Sequence, residues 1–129
     1  IPVIVPNDID NEMEYIDPKD TALEIAVKMQ ADKLIYLSRY PGIYTDETRS
    51  DVYPRITSEE VEELKKTRHF PEDFMDYLNH CMDAVHQGVN RAHILDGRIE
   101  HVLPIEFFSI DGAGTVVIRD ERTLYQHEL

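Results

Sequence analysis

Between residues 91 and 115 the sequence RAHILDGRIEHVLPIEFFSIDGAGT puts a histidine, an acid and closely spaced glycines where each has a chemical use. Glu106 stands between Ile105 and Phe107. An uncompensated carboxylate there would be costly, so it needs a cation or a set of donors. Gly112 and Gly114 follow closely and can turn backbone N–H groups toward an anion. A ligand with one cationic and one anionic end satisfies both. An amino acid with a guanidinium tail is such a ligand, because guanidinium meets carboxylate in a bidentate pair. His93, embedded in an apolar strand pattern, is by itself more simply a satisfied strand histidine; the acid and glycines beyond it make it a candidate wall of the site.

Other chemistries fit less well. His80 and His86 lie six apart and do not stack on one helical face, and Cys81 falls off line with both, so no metal site is expected. The single cysteine excludes an internal disulfide and a cysteine-based zinc cluster. It sits mid-helix near the apolar stripe, a poor place for a nucleophile. Residues 111–114 are too short for either glycine-rich phosphate fingerprint and precede a strand instead of a helix. No catalytic residue is assigned.

The elements that must hold these residues read as alternating strands and helices. Strands are expected at residues 2–5, 33–38, 92–95 and 115–118. Asp20 is positioned to cap a helix reaching about Ala31, with Leu23, Ala26 and Val27 on one face and Ile25 and Met29 widening it, so that most of its sides are covered. Thr57 and Glu60 have capping-box spacing, with Val61 and Leu64 as the apolar side. A further helix starts near Pro71, carries Phe74, Met75, Leu78, Met82 and Val85, and stops at Gly88. Residues 7–18 read as an acidic loop, 45–55 as a polar excursion, and 99–108 as a short helix or turn. Tyr36, Tyr40 and Tyr44 are strand-end packing residues. The alternation implies parallel βαβ units, with helices on both faces of the sheet. Ligands in such sheets bind at the carboxyl ends of strands, which selects the loops after Ser38 and Leu95.

The chain has 129 residues, enough for one domain with a core. Its 13 basic and 26 acidic residues give a net charge of -13, which argues against nucleic-acid binding and leaves no polybasic membrane patch. No apolar run approaches membrane-spanning length. One free cysteine fits a cytoplasmic setting. The sequence opens directly on a core-strand pattern, IPVIVP, and closes on a polar tract, so it is expected to be cut from something larger.

The tract HILDGR at residues 93–98, PIEFF at 104–108 and DGAGT at 111–115 resembles a signature of the amino-acid kinase family, in its arginine-regulated branch of acetylglutamate kinases and synthases. That signature runs roughly H-x-x-D-G-R through L-E-L-F-T to D-G-x-G-T. The resemblance extends over residues 1–6, 20–38 and 41–44 and is weakest over 45–86. It implies a three-layer α/β sandwich around a mainly parallel sheet, of which residues 1–129 match the C-terminal half. The N-terminal half, with its phosphate loop, and the acetyltransferase domain of synthases are then missing partners. It also implies an arginine site at His93, Glu106, Gly112 and Gly114, in which Glu106 holds the guanidinium and the Gly112 loop approaches the other end of the ligand. L-Arginine is the expected allosteric ligand, and a homo-oligomer the expected assembly.

Three family positions with chemical roles depart from the kinase pattern. The lysine of G-G-M-x-x-K falls on Tyr77, with Glu72 and Asp73 in place of the glycines. The aspartate of T-D-V-P-G is replaced by Arg39. Of the N-x-N-A-D-T substrate segment only Asp20 and Thr21 remain. Without the lysine, charge developing during phosphoryl transfer lacks a stabiliser. The expectation is an arginine-sensing, kinase-like half-domain of an acetylglutamate synthase that binds no cofactor itself. Its parent would use acetyl-CoA; a kinase parent would use ATP with magnesium. The alternatives are a divergent acetylglutamate kinase and a non-catalytic assembly module.

Overall fold

A computed structural model describes residues 3–6, 9, 12–45, 51–98 and 114–120. Along the chain run β1 (Val3–Pro6), β2 (Met13–Ile16), α1 (Pro18–Lys28), β3 (Lys33–Ser38), β4 (Arg55–Thr57), α2 (Ser58–Thr67), α3 (Glu72–His86), β5 (Arg91–Asp96) and β6 (Thr115–Ile118). The expected turn at residues 99–108 lies outside the described residues. Among those described, no helix is long and apolar enough to cross a membrane.

The helices start where local chemistry supplies partners for orphan N–H groups. Thr57 and Glu60 form the expected capping box at α2. At α1 the expectation needs correction: the cap is Asp17, whose carboxylate accepts from the Lys19 N–H at 2.9 Å, and Pro18 fills the first turn. That backbone hydrogen bond, against some opposition from burial, holds the Asp17 carboxyl below its usual range. Asp20 therefore lies inside the first turn instead of capping it. α3 follows Pro71 and ends at Gln87, just before Gly88.

Four strands form one sheet in the order β3-β5-β6-β4, and β1 pairs antiparallel with β2 in a separate two-stranded sheet. β3 with β5, and β4 with β6, are parallel; β5 with β6 is antiparallel. The sheet is mixed, with two parallel pairs, and fits the mainly parallel sheet that the resemblance implies; only the pairing of β5 with β6 departs from the parallel units read from alternation. Two strands lay in stretches read as loops: β2, half of a hairpin in an acidic segment, and β4, only three residues long with a partly exposed burial pattern.

Register assigns the faces. Leu34, Ala92, Val117 and Ile56 form one row across the sheet. These side chains share a core with Ala26 of α1, Val61 of α2 and Phe74, Leu78 and Val85 of α3. The three described helices thus lie on one face, with α3 in the middle and packed on β5 and β6. α1 is covered on one side only: Ile25 and Met29 stand in solvent. The lesson is geometric, since an apolar residue in sequence adds to a helix face only if a neighbour reaches it.

Thr115 ties the loop after β3 to the first residue of β6. Its Oγ1 accepts from the Ile43 N–H at 2.9 Å, and both residues are fully buried. Thr115→Val keeps the shape but removes the acceptor. It is expected to cost about 1–3 kcal/mol in urea unfolding, the desolvation cost of one orphaned buried N–H.

Candidate functional site

The carboxyl ends of β3 and β5, the N-terminus of α3 and the start of β6 meet at one edge of the sheet. The loops after Ser38 and Leu95 are joined there: the Gly97 N–H donates to the Ser38 carbonyl at 2.8 Å. Ser38 Oγ accepts from the Tyr40 N–H at 3.0 Å, which folds the first loop back on its strand. Both loops selected by strand direction therefore occupy this edge.

The acids of this edge are paired. Asp96, buried at the end of β5, accepts from Arg98 Nε and Nη2, each at 2.9 Å, and from the Arg98 N–H. This fork holds the Asp96 carboxyl below the usual range despite burial. Asp73, in the first turn of α3, accepts from the Tyr40 hydroxyl at 2.7 Å and from Arg39 Nε at 3.1 Å. Arg39 also donates to the Tyr40 hydroxyl at 3.0 Å. The hydroxyl bond, opposed by some desolvation, and the Arg39 contact depress the Asp73 carboxyl; donating that bond raises the Tyr40 phenol. A helix N-terminus favours anions. Here Glu72 and Asp73 supply the negative charge from within the chain.

A second polar cluster surrounds Asp20 and Thr21, the residues the resemblance would make a remnant of a substrate segment. Asp20 Oδ1 lies 2.5 Å from His80 Nε2. His80 Nδ1 lies 2.7 Å from the Asp76 carbonyl oxygen. Lys19 Nζ lies 3.3 Å from Asp17 and 3.2 Å from Asp76. It also sits 5.3 Å from the centroid of the Tyr77 ring, so an ammonium from α1 lies over the position where the family pattern has its lysine. The Tyr36 hydroxyl donates to the Lys19 carbonyl at 2.8 Å. Thr21 is bound to its own turn, its N–H donating to the Asp17 carbonyl.

The sequence-predicted arginine residues divide. His93 is buried on β5, in register between Ile35 of β3 and Val116 of β6. It points away from the face that carries Ala92 and Ile94, and so away from the helices. Gly114 immediately precedes β6, beside Ile94 and Leu95. Gly114 therefore leads into the strand next to that of His93. Glu106 and Gly112 lie outside the described residues. Asp20 and Thr21, on α1, belong to the opposite face of the sheet from His93. Of the histidines weighed for a metal, His80 meets Asp20 and His86 meets Ser58 Oγ at 3.0 Å. Cys81 is fully buried, and burial pushes its thiol up, away from nucleophilic use. Among the described residues, no group of three or more His, Cys, Asp or Glu is placed to hold a metal ion.

Sequence reasoning missed Arg39 with Asp73, 34 residues apart, and Asp20 with His80, 60 apart. No local pattern announces such pairs. The usable signal was that two replaced family positions, 39 and 73, carry opposite charges.

Comparison with known proteins agrees with this architecture. The amino acid kinase family matches residues 1–96. Acetylglutamate kinase of Methanosphaera stadtmanae is 39% identical over 120 residues, covering 91% of this chain and 40% of that protein. That of Nitratiruptor sp. is 33% identical over 122 residues, covering 92% and 42%. The chain thus spans about two fifths of the curated relatives it matches. N-acetylglutamate synthase from Neisseria gonorrhoeae, solved with coenzyme A and L-arginine, superposes with a TM-score of 0.76 at 25% identity, over 87% of this chain and 26% of that one. Carbamate kinase from Giardia lamblia, bound to AMP-PNP, shares the fold with a TM-score of 0.63 at 16% identity, over 86% and 40%.

Proposed function

The chain belongs to the amino acid kinase family, and from that premise we propose that it is the arginine-sensing half of a kinase-like regulatory domain. The parent protein would be an N-acetylglutamate synthase, which transfers acetyl from acetyl-CoA to glutamate. The observation that carries this reading is the occupied N-terminus of α3. Asp73 is bound there by Arg39 and Tyr40, at the edge where a phosphate donor would need open backbone N–H groups. Lys19 over Tyr77 is itself neutralised by Asp17 and Asp76. The synthase from Neisseria gonorrhoeae, structurally similar to this chain, was solved with L-arginine and supports the choice of ligand. The site would comprise His93, Gly114, Glu106 and Gly112, and the rest of the domain would complete the assembly, as a homo-oligomer.

Calorimetric titration of L-arginine into the full-length protein tests this. Saturable heat at one site per chain is expected, and absence of heat overturns it. A second reading, a divergent acetylglutamate kinase, is favoured by identities of 33–39% to acetylglutamate kinases. It requires ATP-dependent phosphorylation of N-acetylglutamate by the same protein. The paired charges at Asp73 predict that this activity is absent. An oligomer indifferent to both arginine and ATP would leave an assembly module as the remaining role.

A further inference from the structure

One contact joins two helices through an imidazole, and it stands apart from the arginine reading. His80 projects from the middle of α3, with its side chain 11% exposed. It lies 2.5 Å from Asp20 in the first turn of α1. Its other ring nitrogen faces the Asp76 carbonyl at 2.7 Å and the Asp76 carboxylate at 3.5 Å. The titratable groups around it come from three elements. From α1 and its cap come Asp17, Lys19 and Asp20; from α3, Asp76 and Tyr77; from β3, Tyr36, whose ring centre is 6.1 Å away at a steep angle. Lys19 opposes a second positive charge, but it is itself bound by Asp17 and Asp76. Carboxylates and a carbonyl oxygen therefore dominate the immediate contacts of the imidazole. With one ring nitrogen facing a carboxylate and the other a carbonyl, both nitrogens are best used as donors, which is the protonated form.

We propose that Asp20 and His80 form a protonation-controlled clamp that holds the first turn of α1 against α3 and releases it, with the Asp20 carboxylate, when His80 loses its proton. Burial pulls the imidazole down, but the hydrogen bonds to Asp76 and Asp20 outweigh it and the net shift is upward. The sign follows. A histidine raised in the folded state contributes its stabilisation fully below its unfolded value of about 6.5 and loses it as pH rises through the folded value. The clamp is closed at mildly acid pH and opens as pH rises through the raised folded value. Opening leaves the Asp20 carboxylate, 62% exposed, available to another cation.

The test is an NMR titration of the imidazole ring protons of the full-length protein from pH 5 to 9, with exchange of the Thr21 amide followed in parallel. That amide donates to the Asp17 carbonyl at 3.2 Å and so reports the first turn of α1. In the wild type, the His80 midpoint should lie above that of an ordinary imidazole. Protection of Thr21, corrected for intrinsic exchange, should fall with the same midpoint. Asp20→Asn should lower the midpoint, and His80→Gln should make Thr21 protection independent of pH. Should His80→Gln not fold, Asp20→Asn decides alone, since Asp20 is on the surface. An unchanged His80 midpoint in Asp20→Asn, or wild-type Thr21 protection that ignores pH, overturns the proposal.

Discussion

Gly114→Ala is expected to destabilise the fold by about 3 kcal/mol or more, read as a lowered midpoint in urea unfolding followed by circular dichroism. Two independent costs add. Gly114 has φ of +82°, a conformation in which a Cβ is itself unfavourable by about 1–2 kcal/mol. A Cβ there would also fall 2.2 Å from the Ile94 carbonyl oxygen, 2.9 Å from Leu95 Cδ2 and 3.1 Å from Leu95 Cα. Most of that obstruction is backbone of the central strand β5, which cannot rotate aside. Gly88 is the control. Its φ is +110°, yet a Cβ there meets nothing within 4 Å. Gly88→Ala should therefore cost only the conformational part, about 1–2 kcal/mol. A Gly114→Ala protein as stable as Gly88→Ala would mean that β6 does not start against Ile94 as described. The comparison also separates two uses of one glycine. Gly114 invites a ligand-facing reading because glycine exposes its N–H, but close passage over β5 already demands glycine.

What the sequence made legible was local. The capping box of Thr57 and Glu60 and the stripe from Phe74 to Val85 depend on neighbours three or four residues away, and each formed as spaced. The strand at Arg91–Asp96 announced itself by apolar content, and all six of its residues are buried. What escaped was settled by pairing partners. β4 is three residues long and is held by β6, far along the chain, while its own composition is polar. The antiparallel run of β6 against β5 has no sequence marker, because alternation of elements reports order and not direction. Ile25 and Met29 continue the apolar pattern of α1 but stand largely in solvent. At the candidate site, the replaced positions Arg39, Asp73 and Tyr77 could be named one by one. Their meaning appeared only when the fold set Arg39 on Asp73 and Lys19 over Tyr77. Charges that look like losses of a kinase pattern become mutual neutralisation once they are neighbours in space.

Glu106→Ala is expected to weaken L-arginine binding by about a hundredfold or more, read as loss of calorimetric heat at concentrations that saturate the wild type. The size follows from what the carboxylate is asked to do. Truncating one member of a desolvated, hydrogen-bonded charge pair costs about 2–5 kcal/mol, much of it the penalty of leaving the other charge unpaired; each 1.4 kcal/mol is tenfold in affinity. Glu106→Gln keeps an acceptor and the shape but removes the charge, so it should fall between the two. Citrulline, which replaces the guanidinium by a neutral urea, supplies the complementary test. The wild type should prefer arginine strongly, and the preference should shrink in Glu106→Gln, because the lost charge on the protein no longer penalises the neutral ligand. A fold defect would lower both affinities together and would show in circular dichroism; a specific loss changes their ratio. Gly114 variants cannot make this distinction, since they disturb β5, whereas Glu106→Gln alters charge at constant volume. Arginine affinity unchanged in a folded Glu106→Ala protein would remove the carboxylate from the site. With it would go the argument that a lone acid in an apolar segment exists to meet a guanidinium.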